Sequence, residues 1–136
     1  MSKIRVLLAD DNRQMLEYVR EFLAEGCEIV DAVSDGQAAV DAAAKLRPDI
    51  VVLDVSMPIL NGIQAAKRLR QANPDAKIVF LTVDNDLDIC RAALETGALG
   101  YVWKPRMGSD LIPALKLAIG GSRFVSPGCE PDVSDR

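Results

Sequence analysis

Short apolar runs, often β-branched, punctuate the chain at Ile4 to Ala9, Glu28 to Ala32, Ile50 to Leu53, Lys77 to Leu81 and Ala98 to Trp103, each bounded by acids or turn residues. Runs of this length and composition predict buried strands. Helical patterns fill the gaps between them. Met15, Leu16, Val19, Phe22 and Leu23 follow the i, i+1, i+4, i+7, i+8 stripe of an amphipathic helix that Gly26 stops. Ala39, Val40, Ala43 and Leu46 mark a second helix, capped by Ser34 or Asp35, with Pro48 beyond its end. Ile63, Ala66 and Leu69 mark a third, stopped before Pro74, and Leu87, Cys90 and Leu94 a short fourth that ends at Gly97. The fifth is predicted from about Leu111 to Ile119, with Asp110 as its cap, because Pro113 is tolerable only in a first turn.

Strands alternating with helices imply a parallel sheet covered on both faces, since parallel neighbours need crossover connections and these are right-handed. The expected fold is a doubly wound α/β domain of three layers, α/β/α. In the flavodoxin-like order 2-1-3-4-5, the first and third strands are neighbours. From Gly120 onward the sequence GGSRFVSPGCEPDVSDR is rich in Gly, Pro and Ser and reads as a linker or frayed end.

Composition narrows the chemistry. The 136 residues suffice for one domain with a real core. A net charge of -4 argues against a nucleic-acid surface on this chain. No apolar run approaches membrane-spanning length and none resembles a signal peptide, so a cytoplasmic location is expected. Cys27, Cys90 and Cys129 are odd in number and far apart, and histidine is absent, which disfavours a zinc site or a disulfide framework. The lack of histidine also removes Ser-His-Asp and Cys-His pairs and any imidazole base.

In open α/β sheets, ligands bind outside the carboxyl ends of the strands, at the point where strand order reverses. Asp10 and Asp11 follow the first strand, Asp54 the third, Thr82 the fourth and Lys104 the fifth. Three carboxylates in one pocket are costly: unit charges about 4 Å apart repel by about 4 kcal/mol at an effective dielectric of about 20. A hard divalent cation relieves this, and few charged oxygen ligands completed by waters and a phosphate describe Mg²⁺ better than a calcium cage. With a hydroxyl at Thr82 and an ammonium at Lys104 on the same edge, the set suits phosphoryl transfer to a carboxylate.

These residues carry a family resemblance. The doubled acid at Asp10 and Asp11, VVLDVSMPILNG from Val51 to Gly62, FLT ending at Thr82 and GALGYVWKP from Gly97 to Pro105 resemble the receiver domain of two-component response regulators. The match runs over nearly the whole folded chain, giving a receiver domain at 1–120 and a linker-like or disordered tail at 121–136. The resemblance implies that Asp54 is the phosphoacceptor, fed by a sensor histidine kinase, a phosphotransfer protein or a small acyl phosphate. It implies Mg²⁺ held by Asp11, Asp54 and the backbone carbonyl of Ser56, with Asp10 acting through water. Lys104 would pair with phosphoryl oxygens, Thr82 would be the switch hydroxyl, and Tyr101 the aromatic that reports its movement. It also implies a cis Lys104–Pro105 bond and a tight loop shaped by Met57, Pro58 and Gly62. Such a domain is a phosphoacceptor that assists its own phosphorylation and dephosphorylation rather than an ordinary enzyme.

The face expected to change is that of the fourth helix, fifth strand and fifth helix, including Leu87, Arg91, Leu94, Tyr101 and Arg106, through which the family homodimerises or meets an output partner. Val83 departs from the small residue usual after the switch hydroxyl and is expected to crowd the phosphate, while Ser56 and Asp84 lie where side chains tune hydrolysis. A degenerate receiver serving only as a protein-interaction module is the alternative. A haloacid-dehalogenase-type phosphatase would want an acid at position 56, and a flavodoxin a phosphate loop where the doubled acid stands. GGSRFVSP resembles the junction of NarL/FixJ-type regulators, so a stand-alone or truncated receiver is expected, with DNA contacted only through a missing output domain.

Overall fold

A computed structural model describes residues 3–129. It consists of β1 (Ile4–Ala9), α1 (Arg13–Phe22), β2 (Cys27–Val33), α2 (Gly36–Leu46), β3 (Ile50–Leu53), α3 (Gly62–Ala72), β4 (Ile78–Thr82), α4 (Leu87–Glu95), β5 (Gly100–Trp103), α5 (Met107–Ile119) and β6 (Phe124–Val125). The sheet is parallel in the order β2-β1-β3-β4-β5-β6. This is the expected flavodoxin-like order with one minor strand added at its edge.

Period-two alternation divides the strand residues between two cores. Leu7, Val51, Leu53, Ile78, Phe80 and Tyr101 pack beneath α2, α3 and α4. Val6, Leu8, Ile50, Val52, Val79, Leu81 and Val102 pack beneath α1 and α5. Both faces of every central strand are therefore apolar, which is why these strands read as continuous hydrophobic runs. Small residues let the helices approach closely, with Ala39 and Ala42 on α2, Ala65 and Ala66 on α3, and Ala114 and Ala118 on α5 all buried. The first four helices begin on side-chain caps: Asn12, Asp35, Asn61 (completed as a capping box by Gln64) and Asp86.

Three expectations are corrected. Helix α5 begins at Met107, four residues before the predicted Leu111, because a 3-10 turn over Lys104–Arg106 feeds straight into it. Pro113 thus stands at the seventh position of the helix, and Asp110 is no cap. It lies buried inside the first turn, accepting hydrogen bonds from Arg106, Ser109 and Ser126. The described part of the tail is not a frayed linker. Phe124 and Val125 pair with Gly100 and Tyr101, and Ser126 and Cys129 are buried. The rest of the tail lies outside the described residues. No peptide bond among the described residues is cis, so Lys104–Pro105 is trans. Pro105 enters the 3-10 turn in that form, and prolyl bonds have only a slight intrinsic preference between the two.

Candidate functional site

The register of the central strands builds the site. Ala9 pairs with Leu53, so the next residue of each strand, Asp10 and Asp54, arrives at the same edge. The Asp54 amide donates to the Ala9 carbonyl at 2.9 Å, and the Asp10 amide to Val33 at 3.0 Å. Asp10 Oδ1 then accepts from the amide of Asn12, the residue that caps α1. This pins Asp10 inward, 5% exposed, while the intervening Asp11 faces solvent. One carboxylate oxygen from each of Asp10, Asp11 and Asp54 lies within 4.8 Å of the others.

Lys104, delivered by the end of β5, spans two of these acids. Its Nζ is 2.7 Å from Asp10 Oδ2 and 3.3 Å from Asp54 Oδ2. The doubled acid is therefore compensated in part by the chain's own ammonium, a partner the sequence argument assigned to the phosphate. Three carboxylates against one ammonium still leave two negative charges. Burial raises the Asp10 carboxyl above its ordinary value, opposed by the hydrogen bonds from Lys104 and Asn12 and aided by the charge of Asp54. For Lys104, burial works against the ammonium, but the hydrogen bond to Asp10 and the charges of Asp54 and Asp10 more than offset it, and its pKa is raised.

Among the described residues, one buried side-chain oxygen has no hydrogen-bond partner: Asp54 Oδ1. A buried carboxylate oxygen left bare is costly. Its placement inside a residual double negative charge fits a hard divalent cation such as Mg²⁺, which favours carboxylate oxygens and open, water-completed coordination.

The remaining predicted residues surround this centre. Thr82 is fully buried at the end of β4, and its Oγ1 accepts from the Asp84 amide at 3.3 Å. Ser56 is exposed two residues beyond Asp54, its hydroxyl 3.5 Å from Asp84 Oδ2. Gly62 explains the tight loop, because a Cβ there would sit 1.9 Å from the Asp54 carbonyl oxygen. Val83, immediately after Thr82, stands 65% exposed. Of the proposed output face, Leu87 and Arg91 are exposed and Arg106 partly so, whereas Leu94 and Tyr101 are buried in the core. Tyr101 faces inward, its hydroxyl donating to the Asp84 carbonyl at 2.7 Å, and burial together with nearby Cys90 and Asp84 raises its pKa.

Two participants escape a reading by sequence. Asn12 looks like a helix cap but also fixes Asp10. Trp103, adjacent to Lys104, donates its indole N–H to the Val83 carbonyl at 2.9 Å. Its signal was its singularity, as the sole tryptophan of the chain beside the candidate lysine.

Comparison with known proteins bears on the family and the fold. The family model "Response regulator receiver domain" matches residues 6–116. The transcriptional regulatory protein DegU of Brevibacillus brevis is 34% identical over 128 residues, covering 93% of this chain and 54% of its own length. The chain thus spans little more than half of that relative. A two-component response regulator of the LuxR family from Aurantimonas sp. SI85-9A1 superposes with a TM-score of 0.90 at 31% identity, covering 94% of this chain and 93% of that one. The isolated receiver of RcsB from Salmonella enterica serovar Typhimurium, determined in the presence of the phosphomimetic BeF3-, gives 0.85 at 28% identity, covering 94% and 96%.

Proposed function

We propose, from the premise that this chain belongs to the response regulator receiver domain family, that it is a signalling phosphoacceptor in which Asp54 takes up a phosphoryl group. The observation that carries this reading is the state of Asp54: Oδ2 is held by Lys104, while Oδ1 is buried and bare among the carboxylates. A nucleophilic oxygen needs a free lone pair and a neighbourhood that neutralises incoming phosphoryl charge. The RcsB receiver, similar to this chain, was studied with a phosphomimetic, which is consistent with such a role.

In this mechanism a carboxylate oxygen of Asp54 attacks phosphorus in line. A new O–P bond forms as the P–N bond of a phosphohistidine, or the P–O bond of a small acyl phosphate, breaks. The leaving imidazole or carboxylate keeps the bonding electron pair. These 136 residues contain no histidine, so a phosphohistidine donor must be supplied by a partner, a sensor histidine kinase or phosphotransfer protein. Asp11, Asp54 and the Ser56 carbonyl, with Asp10 through water, would hold Mg²⁺, which supplies positive charge for the phosphoryl oxygens. Lys104, anchored between Asp10 and Asp54, exchanges a carboxylate for a phosphoryl oxygen. Thr82 turns its hydroxyl toward the modified Asp54 and draws the β4–α4 loop with it. This biases an existing equilibrium toward the active arrangement.

Leu87, Arg91 and Arg106 form the accessible part of the surface through which a second copy or an output partner docks, with Leu94 and Tyr101 acting from inside. Any control of transcription is exercised through a further segment, since the charge of this chain disfavours a DNA surface. Intact mass after incubation with acetyl phosphate and Mg²⁺ tests the reading. One labile phosphoryl group is expected, absent in Asp54→Ala; no adduct from any donor would leave a pure interaction module.

A further inference from the structure

We propose that Trp103 is a positioning residue that ties the β4–α4 loop to a strap formed by residues 124–129, so that phosphorylation at Asp54 loosens the strap. The proposal rests on the phosphoacceptor reading and adds an intramolecular output to it. Trp103 makes two hydrogen bonds in different directions. Its indole Nε1 donates to the Val83 carbonyl, immediately after Thr82, at 2.9 Å. Its backbone amide donates to Ser126 Oγ at 3.1 Å. Ser126 is fully buried, and its own hydroxyl proton goes to Asp110 Oδ2 at 2.8 Å, which leaves the hydroxyl oxygen to accept from Trp103. The strap is secured on both sides of that point. The Ser126 amide donates to the Tyr101 carbonyl at 2.9 Å, and the Cys90 thiol on α4 donates to the Cys129 carbonyl.

The strap therefore crosses the edge of β5 from α5 to α4. The loop carbonyl and the strap hydroxyl are joined by one rigid aromatic residue. When Thr82 moves toward a modified Asp54, the Val83 carbonyl moves with it. The indole follows its acceptor and carries the β5 backbone away from Ser126. The strap thereby loses part of its attachment, and Cys129, 1% exposed, becomes reachable.

The test uses the full chain with Mg²⁺, with and without acetyl phosphate. Alkylation of Cys129 by N-ethylmaleimide is followed by peptide mapping, with intact mass reporting the phosphoryl group in the same sample. Cys27 lies in the core on the opposite face of the sheet and serves as the internal control. Phosphorylation should speed Cys129 labelling about fivefold, the size expected when one net hydrogen bond is lost from a local opening equilibrium, and leave Cys27 unchanged. In Trp103→Phe the ratio of phosphorylated to unphosphorylated rates should fall to one. Should that variant fail to fold, Ser126→Ala should raise the basal rate and abolish the same ratio. A tryptophan with only a structural role would raise both rates alike and preserve the ratio, which would overturn the proposal. Equal rates in the phosphorylated and unphosphorylated wild type would also overturn it. Absence of the phosphoryl mass would sink the phosphoacceptor reading itself, and the coupling with it.

Discussion

Lys104 touches two buried carboxylates that would otherwise repel each other, so its loss is felt before any signalling chemistry is considered. Lys104→Met leaves Asp10 and Asp54 buried and unpaired, and should cost about 3 kcal/mol by urea denaturation, the scale for breaking a buried ion pair. Adding Asp10→Asn removes one of the stranded charges and should recover much of that loss. If the double variant is no more stable than the single one, Asp10 is not what Lys104 compensates. Gly62 acts through space rather than charge. A methyl group 1.9 Å from the Asp54 carbonyl oxygen meets backbone that cannot yield cheaply, so Gly62→Ala should destabilise by about 2 kcal/mol or more and distort the acceptor loop. Its thermal midpoint and acetyl phosphate uptake should fall together.

At the scale of elements, legibility depended on how local the deciding interaction is. Strand β3, Ile50–Leu53, reads directly from four apolar residues because both of its faces are covered. Helices α1 to α4 read from local apolar spacing, and each begins on a side-chain cap that satisfies an amide three residues on. Helix α5 misleads because Pro113 suggests a start that the 3-10 turn at Lys104–Arg106 has already made. An interior proline removes the amide that would meet the Ser109 carbonyl. Replacing the exposed Pro113 with Ala should therefore stabilise the protein by about 1 to 3 kcal/mol, seen as a higher urea midpoint. Asp110 misleads for the complementary reason, since the hydroxyl that holds it belongs to Ser126, sixteen residues on. Burial works to raise its pKa, but the hydrogen bonds from Ser126, Arg106 and Ser109 outweigh this and lower it. A carboxylate depressed on folding stabilises the protein above its unfolded pKa of 3.8 and loses that contribution as pH falls through the lower folded value. The stability gap between wild type and Asp110→Asn should thus be constant near neutrality and shrink below about pH 4. A gap that widens on acidification would contradict the assignment.

For the molecule as a whole, the sequence exposes the site's members because each follows an apolar strand, but not their pairing. Lys104 and Asp54 are fifty positions apart, and only the order of the strands brings them together. The two-residue strand β6 was illegible because it has no periodicity and its partner, β5, precedes it by a whole helix. The same assembly gathers the three carboxylates only in the folded state, so on the proposed reading a cation binds the folded chain alone. At about ten times the dissociation constant, Mg²⁺ should add about 1.4 kcal/mol to stability and raise the melting midpoint by a few degrees, an effect Asp11→Asn should diminish. The most direct test of the account locates the transferred group. After incubation with acetyl phosphate and Mg²⁺, borohydride reduces an aspartyl phosphate to homoserine, which peptide sequencing by mass spectrometry places along the chain. Conversion at Asp54 alone is predicted; conversion at another acid, or at none, would contradict it.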